Sequence, residues 1–158
     1  MTRTVLEDTA DLDDGPSRHV PPRSFFGIRL APKEADRPDY SCLFGAGAFL
    51  STPADLVRLG STMVKPGFLK AHTIGEFETP GRLKSGAATT YALGWTVGTA
   101  PLDGVVRMIS HRGSPRGGTV SLLAFPDLEL VVAAASNVDD ARGVNPFALK
   151  VAEAFTRK

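Results

Sequence analysis

Two apolar runs near the C-terminus, Thr119–Phe125 and Leu128–Ala135, are separated only by Pro126 and Asp127. So short a break leaves the chain room for little but a reversal, which predicts an antiparallel hairpin. The second run is apolar at nearly every position. A strand with one solvated face would alternate, so this one is expected to be covered on both faces, in the middle of a sheet. Tyr91–Val97 and Val105–Ser110 read as two further strands. Helices flank this strand-rich part. Thr52 is an N-cap candidate, Pro53 suits the first helical position, and Asp55 lies in the first turn near the positive end of the dipole. Leu56, Leu59 and Met63 then recur at helical spacing until Pro66-Gly67 stops them. A short second helix is expected over 68–77. Asn145 and Pro146 open a last helix whose apolar face is predicted to be Phe147, Val151 and Phe155. The order helix, strands, helix predicts an α+β fold: an antiparallel sheet with packed helices.

The rest of the chain divides by composition. Residues 1–44 hold an acidic run, Glu7–Asp14, followed by Pro16, Pro21, Pro22, Pro32 and Pro38, and read as an extended, surface-wrapping segment anchored by Ser24–Ile28 or else as a disordered tail. Residues 45–158 carry the folded part, a partial domain of helix, strands and C-terminal helix. With 158 residues, 42% of them hydrophobic and 22% charged, one globular domain is expected. Eighteen basic against seventeen acidic residues leave a net charge of +1, which argues against a nucleic-acid partner. No apolar run is long enough for a membrane span. The first residues carry no signal-peptide core, which makes the cytoplasm the default compartment. The single cysteine, Cys42, excludes an internal disulfide and reads as a small buried hydrophobe. The three histidines are far apart and lack metal-ligand spacing, and neither a P-loop nor a dinucleotide fingerprint is present. No metal and no cofactor are expected.

Chemistry concentrates in Ser110-His111-Arg112-Gly113-Ser114-Pro115-Arg116-Gly117-Gly118, between an apolar strand and the hairpin. Two readings are open. In one, Gly113 leaves space for a substrate against the strand, the Ser114 N–H faces a developing oxyanion, and a basic side chain orients the substrate or tunes a proton acceptor. In the other, the stretch is a glycine-rich hairpin loop with a solvated histidine.

Four blocks in order favour the first reading. They are Met1-Thr2-Arg3-Thr4, the run Gly45-Ala46-Gly47-Ala48-Phe49-Leu50-Ser51-Thr52-Pro53-Ala54-Asp55-Leu56, then Tyr91-Ala92-Leu93-Gly94-Trp95, then His111-Arg112-Gly113. With them the chain resembles the C-terminal part of the serine β-lactamase-like family: class C β-lactamases, DD-peptidases, related esterases and the mitochondrial β-lactamase-like protein. The resemblance implies the C-terminal half of a β-lactamase/transpeptidase-like fold. It also implies amide or ester hydrolysis through an acyl-enzyme in the intact protein. His111-Arg112-Gly113 stands where the family has Lys-Thr-Gly or His-x-Gly. The implied roles are therefore catalytic for His111, Gly113 and the Ser114 N–H, and substrate-binding for Arg112, Gly117 and Gly118. The bulky Arg112, at a position where the family usually has Thr, Ser or another small residue, makes an esterase or peptidase substrate at least as good an expectation as a β-lactam.

The family's nucleophile motif, Ser-x-x-Lys, does not occur in the sequence, nor does Tyr-x-Asn or Ser-x-Asn. The chain alone is accordingly expected to be inactive. A hydroxyl without a paired base is a poor nucleophile at neutral pH. The alternative to an enzyme portion is a noncatalytic interaction module or half-domain. It would pair with an N-terminal half of the same fold, or with itself through the strand 128–135.

Overall fold

A computed structural model describes residues 42–65, 67–138 and 142–157, together with Asp39 and five two-residue strands nearer the N-terminus. Those five are β1 (Val5–Leu6), β2 (His19–Val20), β3 (Ser24–Phe25), β4 (Ile28–Arg29) and β5 (Lys33–Glu34). β2 pairs with β5 and β3 with β4, both antiparallel. β1 pairs with β6 (Phe49–Leu50), which brings the start of the chain beside the entry to the first helix. Most of the segment expected to be extended, residues 1–44, lies outside the described residues. Cys42 is exposed and free, not buried as the sequence predicts.

From residue 49 onward the fold is α+β. After β6 come α1 (Pro53–Val64) and α2 (Ala71–Glu78). Then follow β7 (Thr96–Leu102), β8 (Gly104–Gly113), β9 (Thr119–Phe125), β10 (Leu130–Ser136) and α3 (Val144–Thr156). The four long strands form an antiparallel meander in the order β10-β9-β8-β7. Alternate residues of these strands face opposite sides, so one sheet builds two cores. On one side Leu123, Phe125 and Val132 pack against Ala148 and Ala152 of α3. On the other, Ile109, Leu122 and Ala124 pack against Met63 of α1, with Trp95 and the partly buried Phe77 of α2.

α1 begins as its sequence predicts. The Asp55 backbone N–H donates to Thr52 Oγ1 at 3.2 Å, and Pro53 occupies the first turn. Asp55 itself is fully buried and takes an ion pair from Arg58. Gly60 lets the helix sit directly on the sheet. A Cβ there would come within 2.6 Å of Val131 Cγ1, a separation that forces something to move. Lys65 Nζ, just past the helix, reaches Glu129 Oε2 at 2.8 Å. Arg107 of β8 bridges Glu78 at the end of α2 and Asp127 beyond β9. Partial burial works against its charge, but the two carboxylates prevail and hold its pKa above the ordinary value.

Several boundaries differ from the sequence reading, each for a physical reason. The second helix starts at Ala71, three residues later than expected. Tyr91–Trp95 is not strand: Tyr91 makes a single bridge to Thr96, and β7 starts only there. The link between β9 and β10 is not a two-residue turn. Pro126–Leu128 forms a 3-10 turn, Glu129 adopts a left-handed conformation at φ 48°, and β10 starts at Leu130. β10 is covered on both faces, by α1 and α3, yet it lies at the edge of the four-stranded sheet and not in its middle. α3 is capped by Gly143, so Asn145 stands inside the helix. Its buried stripe is Val144, Ala148 and Ala152, with the partly buried Leu149 and Val151 packed beside it, so of the expected face only Val151 reaches the core. Phe147 is 60% and Phe155 75% exposed. Leu123, Phe125 and Val132 supply the bulk of that core, which leaves room beneath the helix for alanine. Among the described residues no helix is long and apolar enough to cross a membrane.

Candidate functional site

The singled-out stretch forms the far end of β8. β8 keeps β9 as a neighbour to its last residue, with His111 opposite Leu122, Arg112 opposite Ser121 and Gly113 opposite Val120. Its other neighbour stops short. β7 begins at Thr96, opposite Ser110. Among the described residues, then, no strand runs beside His111–Gly113 on the β7 flank. That leaves three residues of strand edge, the geometry that accepts an extended ligand by strand addition.

Tyr91–Trp95 turns away at that point. Trp95 is buried in the α1-side core and anchors the bend. The Ala92 N–H donates to the Trp95 carbonyl at 2.8 Å, and the Gly94 N–H to the Ala92 carbonyl at 2.9 Å. Gly94 takes φ +82°, a left-handed conformation that glycine adopts without a Cβ penalty. Its carbonyl lies 2.7 Å from His111 Nδ1.

Successive residues of a strand face opposite sides, which separates His111 from Arg112. Arg112 opens on a cleft of about 350 Å³ lined by Arg112, Gly113, Ser114, Thr119, Val120, Arg142 and Asn145. His111 is not part of that lining; it faces the Gly94 bend. Gly113 and Ser114 belong both to the open strand edge and to the cleft. Gly113 is closely packed, since a Cβ there would stand 3.1 Å from Val120 Cγ1. Gly117 and Gly118 shape the turn into β9, where the Gly118 N–H donates to the Pro115 carbonyl at 3.0 Å, and they do not line the cleft.

Thr119, Val120, Arg142 and Asn145 are cleft residues that sequence reasoning missed. Asn145 was visible only as a helix cap. The fully buried Ser121 Oγ, one strand over from Arg112, donates to Asn145 Oδ1 at 2.9 Å. With Oδ1 so engaged, what Asn145 offers the cleft is its amide N–H donors. The cleft also receives the start of α3, where no side chain caps the helix. Among the described residues, the cleft lining brings together the Arg112 and Arg142 guanidinium groups, the Asn145 amide, the Ser114 and Thr119 hydroxyls (Thr119 Oγ1 donating to the Val138 carbonyl) and the positive end of a helix dipole, with no Asp or Glu among them. Such a surface favours a negatively charged group. His72, by contrast, is exposed on α2, with Nδ1 3.9 Å from Glu76.

A family model described as Beta-lactamase matches residues 1–153. No curated protein matches the chain.

Proposed function

This chain belongs to the beta-lactamase family, and from that premise we propose that it carries the substrate-orienting strand of a serine hydrolase site. Family membership supports a serine hydrolase-like function. The finer reading is hydrolysis of an ester or amide through an acyl-enzyme, with the nucleophile and its base supplied from outside this sequence. The observation that carries it is the open edge of β8 at His111–Gly113, bordered by a cleft into which Arg112, Arg142 and Asn145 converge.

A substrate laid along that edge is held by backbone hydrogen bonds, while Gly113, lacking a Cβ, lets Val120 pack close against the end of the strand. The Ser114 N–H faces the oxygen on which negative charge develops, where one donor is worth about 10²–10³ in turnover. His111 orients the reacting groups or exchanges a proton with them. Arg112 and the Asn145 amide bind an anionic group of the substrate on the opposite side of the strand. The substrate class is accordingly an ester or amide that carries a carboxylate or similar charge, and the bulk of Arg112 favours an open-chain group over a β-lactam.

The test pairs the chain with a family N-terminal half bearing Ser-x-x-Lys and Tyr-x-Asn. Two chromogenic esters are compared, alike except for one carboxylate. Charged hydrogen bonds contribute about 1.5–3 kcal/mol. Arg112→Ala is therefore expected to raise KM for the anionic ester by roughly 10-fold or more, and to leave the neutral ester within about twofold. Equal losses on both esters would reject the anion-binding role.

A second reading, a strand-pairing module, is favoured by a different observation. Edge strand β10 contains neither charge nor proline from Leu130 to Ser136, and α3 exposes Phe147 and Phe155. In this reading a second copy pairs along β10. Val132 lies in the core, so the clean probe is the exposed Ala135. Ala135→Lys should weaken association by about tenfold or more in sedimentation, because edge lysines oppose strand pairing. A compact wild-type monomer at high micromolar concentration rejects this reading.

A further inference from the structure

We infer that Gly94 is a positioning residue for His111, and that it fixes which ring nitrogen of His111 exchanges protons. The inference adds to the role of His111 proposed above, and its significance rests on that role. Its geometry does not.

Register explains why the two residues meet. Thr96 pairs with Ser110, so the chain just before Thr96 passes beside His111. Trp95 is held in the core, and the Ala92–Trp95 hydrogen bond closes the bend. Within that bend, the left-handed backbone at Gly94 accompanies a carbonyl 2.7 Å from His111 Nδ1. A backbone carbonyl only accepts hydrogen bonds. Nδ1 must therefore carry the proton, and in neutral His111 the lone pair is left on Nε2.

This constraint has chemical content. Free neutral histidine favours the opposite tautomer, with the proton on Nε2. Here the Nδ1–H is engaged by the Gly94 carbonyl, which leaves Nε2 as the ring nitrogen open to a partner. His111 thereby works as a single-nitrogen acid–base group at a set orientation, where a lysine at the same position would present a mobile point charge.

The test is NMR of the chain labelled with ¹⁵N at histidine, with long-range ¹H–¹⁵N correlations assigning each ring nitrogen. His72, whose Nδ1 has no carbonyl at hydrogen-bond distance among the described contacts, is the internal reference. Neutral His111 should hold its proton on Nδ1 by roughly tenfold, the bias of one good hydrogen bond, while His72 favours Nε2–H. Two variants separate positioning from mere folding. A Cβ at residue 94 meets nothing within 4 Å, so only backbone strain is at stake. Gly94→Asn should preserve the bias, since Asn tolerates the left-handed region, whereas Gly94→Val should abolish it and leave His72 unchanged. Should the valine variant fail to fold, the wild-type spectrum still decides. A predominant Nε2–H tautomer at His111, or one unaffected by Gly94→Val in a folded chain, overturns the inference. An Nδ1–H tautomer in a complemented enzyme indifferent to His111→Ala would uphold the positioning and reject the catalytic role instead.

Discussion

The two faces of the sheet are built differently. On the α1 side the helix adds Met63 and the partly buried Leu56 to Ile109 and Leu122 of the strands, and Gly60 brings its backbone close to Val131. On the α3 side the strands bring bulk, Leu123 and Phe125, and the helix answers with alanines. The same alternation divides the candidate site. His111 points to the α1 side and the Gly94 bend, whereas Arg112 opens on the α3 side beside Asn145. Adjacent residues of one strand therefore stand in two different surroundings, a backbone bend on one face and a cleft on the other.

Stability measurements test this contrast across a graded series. Phe125 is fully buried, and Phe125→Ala should destabilise by about 3–5 kcal/mol through lost burial and the cavity left behind. Gly60→Ala should cost about 1–3 kcal/mol, because the new methyl group meets Val131 and overpacks the α1 face, although helix propensity recovers up to about 1 kcal/mol of it. Phe147→Ser, on the exposed flank of α3, should change stability by no more than about 0.5 kcal/mol. Denaturant midpoints check all three. A Phe147→Ser loss as large as that of Phe125→Ala would show that α3 buries its aromatic stripe, and the contrast between the faces would collapse.

The contrast also marks how far the sequence could be read. α1 was legible because its signals agree: a cap at Thr52, Pro53 in the first turn, and a single apolar stripe. β9 was legible to the residue, since Thr119–Phe125 is bounded by Gly118 and Pro126. α3 was legible as a helix but not in its facing. Phe147–Val151–Phe155 and Val144–Ala148–Ala152 both have helical spacing, and the volume of Leu123 and Phe125 beneath leaves the core face to the second, with only Val151 of the first packed against it. The strand end His111–Gly113 could be singled out from sequence as a candidate site. Its cleft was not, because Arg142 and Asn145 reach it through tertiary packing from a segment almost thirty residues away. The Gly94 contact was equally hidden. It follows from the register of β7 on β8, which no local pattern reports.

The central claim is that this chain orients substrate and does not supply the nucleophile. Intact-mass measurement of the folded chain after exposure to a fluorophosphonate probe tests it most directly. No adduct is expected on any serine, because none has the lysine three residues on that would activate it. A stoichiometric adduct on one serine of this chain would contradict the account, and would mean that a complete nucleophilic site is assembled within it.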